Sequence, residues 1–217
     1  MRPVVLAFLN PSSHPGSAIG TRGAKWTRAA VWLMILFLET GMQANGKESA
    51  LPHIGPAPVF TLIDQNQKPF SLGEVKGKIT VVTFIFTACA DTCPVLTAKL
   101  ASIQRHLEAG TSAVQFAAIT VDPDNDTPEV LKKYARAFAV DERYFAFLTG
   151  NPDQTEQVAR KFAVFQKKQS GGSVDHSFLT SIIDASGTIR VQYLGTRFDE
   201  KEFLGDLRSL LAEMHSR

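Results

Sequence analysis

The apolar positions of the chain follow two rhythms. Ile79–Phe86 (ITVVTFIF) and Val114–Val121 (VQFAAITV) are unbroken runs rich in β-branched and aromatic residues, the pattern of strands buried on both faces. Elsewhere the apolar residues recur at helical spacing. Leu96, Leu100, Ile103 and Leu107 form one stripe, opened by Pro94 and closed at Gly110. Asp126-Thr127-Pro128-Glu129 begins a second helix that runs to Ala139, with Thr127 as N-cap and Pro128 at the first helical position. A third covers Asp153–Phe162, and Asp199–Met214 is a last amphipathic helix with Phe203, Leu207, Leu210 and Leu211 inward. Phe145–Leu148 is a short strand. Phe178–Asp184 and Ile189–Leu194 make a hairpin across Ala185-Ser186-Gly187-Thr188, and Val59–Ile63 pairs with Phe70–Leu72 at the front. Strand, helix, strand, helix, then a hairpin and a last helix describe an α/β fold: a mixed sheet flanked by helices, with an N-terminal strand pair.

The first 57 residues follow neither rhythm. Ala29–Leu38 (AAVWLMILFL) is an apolar run of ten, preceded by Arg22, Lys25 and Arg28 and followed by Glu39 to Ala44. A basic flank, a run of this length and a small residue soon after describe a secretory signal, whereas a membrane span wants about 20 apolar residues. Met42 matches the small-residue cleavage pattern poorly for a cut after Ala44, so residues 1–44 are read as a signal peptide or a retained membrane anchor. Residues 45–57 form a polar linker and 58–217 the folded domain. The expected location is exported: periplasmic, with attachment to the inner membrane if the leader is kept. No cysteine stands directly after the apolar run, which argues against a lipid-anchored lipoprotein.

Composition adds two restrictions. The formal net charge of +2 comes from 23 basic and 21 acidic residues, but Arg2, Arg22, Lys25 and Arg28 stand against Glu39 in residues 1–44, leaving the remainder at −1. Such a body has no electrostatic footprint for nucleic acid. The chain also holds only 2 cysteines in 217 residues, too few for a disulfide scaffold or a four-cysteine zinc site. A domain of this size builds a core without covalent staples, so Cys89 and Cys93 call for a chemical explanation.

These cysteines stand four apart, between the end of a buried strand and the mouth of a helix, where open α/β sheets bind ligands. With Pro94 opening the helix, Cys93 becomes the N-cap, a position whose free amides and dipole favour thiolate. A structural disulfide here would close a very short loop and constrain the unfolded chain little. Among the five histidines, His14 lies in the leader, His53 in the linker, His106 beside the first helical stripe and His215 near the end; His176 alone sits in a Gly-rich loop before a late strand. Two thiolates and one imidazole suit copper, because soft sulfur selects Cu(I) while imidazole also accepts Cu(II). A structural zinc site would need a fourth protein ligand. The cysteine spacing is one residue longer than the C-x-x-C of thioredoxin-type redox pairs. Phe86 and Ala90 stand where peroxiredoxins carry their Pro and Thr before the reactive cysteine.

At these residues the sequence resembles the Sco/SenC family, thioredoxin-fold copper proteins that assist assembly of cytochrome c oxidase. Thr87-Ala88-Cys89-Ala90-Asp91-Thr92-Cys93-Pro94 is similar to the family's T-x-C-P-D-x-C-P, with Ala90 in place of a proline. Val121-Asp122-Pro123 with Asp126-Thr127-Pro128, and Val174-Asp175-His176-Ser177, resemble two further family motifs. Ile85 stands where a glycine is usual, and Gln67 stands near a customary turn glycine. The resemblance implies a thioredoxin-like fold and one copper ion per chain, as Cu(I) or Cu(II), held by Cys89, Cys93 and His176. Asp122 and Asp126 map to the family's acidic pair and are candidates for supporting those ligands from behind. It further implies a metallochaperone without turnover, whose partner is the copper-site subunit of the oxidase, with other copper chaperones or thiol reductants as further partners. The alternative reading is a thiol–disulfide reductase that uses Cys89 and Cys93 to keep an oxidase subunit's cysteines reduced.

Overall fold

A computed structural model of the chain describes residues 51–107, 112–164, 166–168, 174–176 and 178–216. The leader, half of the linker and Gly110 therefore lie outside the described residues. Eight strands form one sheet in the order β1-β10-β9-β4-β5-β6-β2-β3. The strands are β1 (Gly55–Pro56), β2 (Thr61–Asp64), β3 (Pro69–Ser71), β4 (Ile79–Ile85), β5 (Val114–Thr120), β6 (Phe145–Thr149), β9 (Leu179–Ile183) and β10 (Thr188–Leu194). A separate ribbon pairs β7 (Gln166–Lys168) with β8 (Val174–His176). Among the described residues four helices, α1 (Thr92–His106), α2 (Pro128–Ala137), α3 (Pro152–Lys161) and α4 (Glu200–His215), flank these strands.

The two apolar runs became central strands for the expected reason. Every residue of β4 and β5 is buried, and a run covered on both faces needs no polar alternation. β4, β5 and β6 are mutually parallel, so their carboxyl ends share one pole of the sheet. β9 runs antiparallel beside β4, with Thr83 opposite Thr180. Leu96, Leu100 and Ile103 of α1 and Phe203, Leu207 and Leu210 of α4 are buried in the same core. Phe116, Phe145 and Phe147 stack in succession at centroid spacings of 5.2 and 4.9 Å, offset contacts that favour close parallel pairing of β5 and β6. Thr127 caps α2 by accepting from the Val130 amide, and Pro128 occupies its first turn, as the sequence implies. At the start of α3, Asn151 and Gln154 form a reciprocal capping box.

Three features depart from the sequence reading and a fourth, at Gln67, agrees with it. Helix α1 begins at Thr92, with Asp91 as N-cap, so Pro94 is its third residue and Cys93 its second. Proline is tolerated there because the first four amides of a helix have no intrahelical acceptor. The linker is docked in its second half, where β1 pairs with the start of β10. Beside it Arg190, 1% exposed, donates from Nη2 and Nε to the Leu51 carbonyl and from Nε to that of Pro52. Nη1 reaches Asp184 and both Nη atoms reach Glu213. One buried guanidinium thus clasps the entry segment to the β9–β10 turn and to α4. His176 ends a strand rather than lying in a loop. At the tip between β2 and β3, Gln67 takes φ +60°, the left-handed region that glycine occupies most freely.

Candidate functional site

The loop 86–91 leaves the carboxyl end of β4 and turns into α1, placing both cysteines at the pole shared by β4, β5 and β6. The two cysteines are not joined in a disulfide, Cys89 partly exposed and Cys93 fully buried. Asp91 makes no side-chain cap. The Cys93 amide instead donates to Cys89 Sγ at 3.4 Å, so the sulfur of the loop stands where a capping oxygen would.

That geometry reverses the assignment made from spacing. Burial works against ionisation of Cys89, but hydrogen bonds from the backbone of Cys93, Asp91 and Thr92, with the Cys93 thiol, outweigh it and hold Cys89 below the ordinary thiol value. For Cys93 burial dominates. The main chain of Phe86 pulls the other way, yet the neighbouring Cys89 and Asp126 charges add to the rise, and the thiol is pushed up to about 12. The lowered thiol is thus Cys89, whereas spacing alone points to Cys93 at the N-cap. The helix dipole acts on the atom that faces the first-turn amides, and that atom is the Cys89 sulfur.

Asp126, wholly buried, accepts from the Thr87 amide at 3.1 and 3.3 Å, from the Thr87 hydroxyl and from the Thr120 hydroxyl at 2.5 Å. It thereby ties the turn after β5 to the loop two residues before Cys89. Its carboxyl is raised above the usual value by burial, against the pull of Thr120 and Thr87. Asp122, also buried, bonds to Asn125 and closes its own turn through the Asn125 and Asp126 amides. The acidic pair therefore divides: Asp126 braces the cysteine loop, and Asp122 braces the turn that carries Asp126. Two further supports were missed in the sequence. Thr97, one turn beyond Cys93, shares a hydrogen bond with Tyr134 of α2 at 3.2 Å. Lys99 Nζ donates to the Thr196 and Phe198 carbonyls at 2.9 and 2.8 Å. Thr87 was legible inside the cysteine motif; Tyr134 and Lys99 carry no local signal, because only the packing of α1 reveals them.

For His176 the backbone alone is placed. It ends β8 opposite Gln166, three residues before β9 runs beside the end of β4. His106 and His215 are engaged with carbonyls of their own helices, at Ser102 and Leu211. Among the described residues no three His, Cys, Asp or Glu side chains stand together as a metal cluster. No helix among them is long and apolar enough to cross a membrane.

A parallel β4-β5-β6 core with an antiparallel β9-β10 hairpin, carrying a paired thiol site where β4 meets α1, defines a thioredoxin-like protein. Residues 50–212 match the SCO1/SenC family model, and the chain belongs to that family. The SCO2-like protein of Rickettsia felis is 39% identical over 134 residues, covering 59% of this chain and 64% of the relative's length. Two solved structures share the fold. BsSco, described as having a disulfide switch and as a member of the Sco family of cytochrome c oxidase assembly proteins, superposes with TM-score 0.66 at 30% identity, over 75% of this chain and 97% of its own. Copper-bound ScoI of Arabidopsis thaliana gives 0.64 at 27% identity, over 72% and 98%.

Proposed function

We propose that the chain binds one copper ion through Cys89, Cys93 and His176 in an exported compartment and delivers it to the copper-site subunit of cytochrome c oxidase. The observation that carries this reading is the pair of thiols at one pole of the sheet, Cys89 partly exposed and Cys93 buried, with the Cys93 amide donating to Cys89 Sγ at 3.4 Å. Two sulfurs, one from the loop and one from the first turn of α1, form a soft donor set that favours Cu(I), and an imidazole broadens it to Cu(II). Copper is the cargo. Cys89, already biased to thiolate, captures it first; Cys93 joins by giving up its proton, so uptake releases protons. Asp126 holds Thr87 and with it the loop, and His176, three residues before β9 in the sequence, supplies the third ligand in this reading. The copper-bound ScoI of Arabidopsis thaliana, similar in fold, supports copper as the ion.

A second reading draws on the same asymmetry. The Cys89 thiolate attacks an oxidised cysteine pair on the oxidase subunit, forming a mixed disulfide and releasing one partner thiolate. Cys93, on losing its proton, then displaces the second, leaving a Cys89–Cys93 disulfide and a reduced partner. The two roles separate at His176. Titration of the reduced protein with Cu(I) and Cu(II) should reach one equivalent, and Cys89→Ser and Cys93→Ser should each lose tight binding. His176→Ala should weaken Cu(II) most while leaving the thiol–disulfide chemistry intact. Unchanged Cu(II) affinity and normal oxidase assembly in His176→Ala would transfer the lead to the reductase.

A further inference from the structure

The chain leaving β10 links the cysteine helix to the strand that follows His176. β9 runs antiparallel to β4 with Thr83 facing Thr180, so β9 starts beside the carboxyl end of β4, from which the cysteine loop departs. β10 returns along β9, and the last pair of their ladder is Leu179 with Leu194. Past that pair the hairpin gains one more bond, from the Gly195 amide to the Phe178 carbonyl at 2.7 Å. Phe178 stands between the start of β9 and His176, the last residue of β8. Gly195 takes φ +74°, a left-handed conformation open to a residue without Cβ, and there the chain turns from β10 toward α4.

Lys99 grips that turn from the helix side. It lies six residues beyond Cys93 on α1, about 9 Å along the helix axis. Its Nζ donates to the Thr196 carbonyl at 2.9 Å and to the Phe198 carbonyl at 2.8 Å, and stands 4.7 Å from the centre of the Phe198 ring. Hydrogen bonds from an ammonium are stronger than neutral ones, and the ring face adds its own attraction. Phe198 is buried and packs on Tyr193 and Phe203, each at a centroid spacing of 5.1 Å, so the turn that Lys99 holds is itself anchored. A continuous route thus runs from α1 through Lys99, Thr196, Gly195 and Phe178, with His176 two residues further along the chain. The bonds that hold the cysteine loop take another course, through Asp126, Thr87 and the Cys93 amide.

We infer that Lys99 is a positioning residue for the histidine limb of the copper site, setting the chain that carries His176 against the helix that carries Cys93. This inference rests on the copper-binding reading. The two limbs of the site are then held by separate means: the thiols by Asp126 and the first-turn amides, the histidine by an ammonium strap. Residues that orient metal ligands from behind shape affinity nearly as much as the ligands do. Soft thiolates suffice for Cu(I), whereas the imidazole is what extends the donor set to Cu(II). Loss of the strap therefore acts on Cu(II) and spares Cu(I), which makes Lys99 a determinant of the oxidation state the site retains.

The test measures Cu(I) and Cu(II) affinity of the full chain by competition with chelators, with thermal unfolding of the copper-free protein alongside. Lys99→Met keeps the aliphatic stem and removes the donors. Its Cu(II) dissociation constant should rise about tenfold while that for Cu(I) stays within about twofold of wild type. Lys99→Arg, which can still donate to both carbonyls, should recover most of the loss. Lys99→Gln, with a single amide donor group, should fall between them and takes the place of Lys99→Met if that variant does not fold. The decisive arm is the His176→Ala background, where Lys99→Met should change Cu(II) affinity by less than about twofold, because the limb it positions no longer carries a ligand. Unchanged Cu(II) affinity in Lys99→Met, an equal loss with and without His176, or an equal loss for Cu(I) and Cu(II) would overturn the inference and leave the copper site standing. If His176→Ala alone leaves Cu(II) affinity unchanged, the three-ligand reading falls and the inference with it.

Discussion

Two buried aspartates stand at opposite poles of the sheet, and they are shifted in opposite directions. Asp184, in the β9–β10 turn, suffers desolvation, yet the Ser186 hydroxyl, the Thr188 and Ser186 amides and the Arg190 guanidinium hold it below the usual carboxylate value. Asp126, behind the cysteine loop, receives hydroxyl and amide donors but no cation, and burial keeps it above that value. The difference lies in how fully each carboxylate is compensated. At the Arg190 pole every charge meets an opposite charge, and the result is a clasp that secures the entry segment. At the cysteine pole Asp126 is satisfied by neutral donors, and a buried thiol pushed above its ordinary value lies beside one held below it. Incomplete compensation is costly to the fold and marks the place where chemistry is expected.

The largest effect that would sharpen this contrast is the loss of the clasp. Arg190→Met strands the Asp184 carboxylate and the Leu51 carbonyl in the interior. Breaking a buried ion pair on one side costs about 3–5 kcal/mol. Urea unfolding should show a loss of that order, with copper binding of the folded fraction retained; a loss below about 1 kcal/mol would mean the clasp is ornamental. At the other pole, Asp126→Ala leaves the Thr87 amide and two hydroxyls without their acceptor. It should cost about 1–3 kcal/mol and, unlike the Arg190 change, also weaken copper retention by loosening the loop.

The two thiols should differ in reactivity in the direction of their ionisation. Iodoacetamide should label Cys89 at least about tenfold faster than Cys93, with a half-maximal rate below the ordinary thiol value of about 8.5; mass spectrometry of the singly labelled protein reads the site. Equal labelling would collapse the distinction between the two sulfurs. The smallest effects are the pH signatures of the aspartates. Asp184, depressed in the folded state, contributes stability above its unfolded value of about 3.9, and this is lost as pH falls through the lower folded value. Asp126, raised in the folded state, contributes below about 3.9, and this is lost as pH rises through the higher folded value. Stability relative to wild type should therefore move in favour of Asp126→Asn between pH 4 and pH 8. Asp184→Asn should be most deficient at neutral pH and lose that deficit in acid.

How much of this was legible in the sequence follows from where each feature gets its stability. β4 and β5 declared themselves because burial on both faces leaves an uninterrupted apolar run, and α2 because Thr127 and Pro128 are local signals. The start of α1 was misplaced by two residues because a proline is compatible with any place in the first turn. The spacing of Cys89 and Cys93 located the site correctly, but spacing cannot show which sulfur faces the helix amides and which is packed inward. β1 is two residues long, and β7 and β8 three each; such strands exist only through their partners, so no window of sequence reveals them. Arg190 is likewise a polar residue in an exposed-looking hairpin until the Leu51 carbonyl and Glu213 are brought to it.

The claim on which the rest depends is that the thiols of Cys89 and Cys93, with the imidazole of His176, form one copper site. X-ray absorption at the copper edge of the singly loaded Cu(II) protein tests it most directly, comparing wild type with His176→Ala. The expected result is two sulfur scatterers together with an imidazole in wild type, and in His176→Ala the same two sulfurs with the imidazole's multiple-scattering signal gone. A wild-type spectrum without two sulfur ligands, or an imidazole signal that survives the substitution, would contradict it.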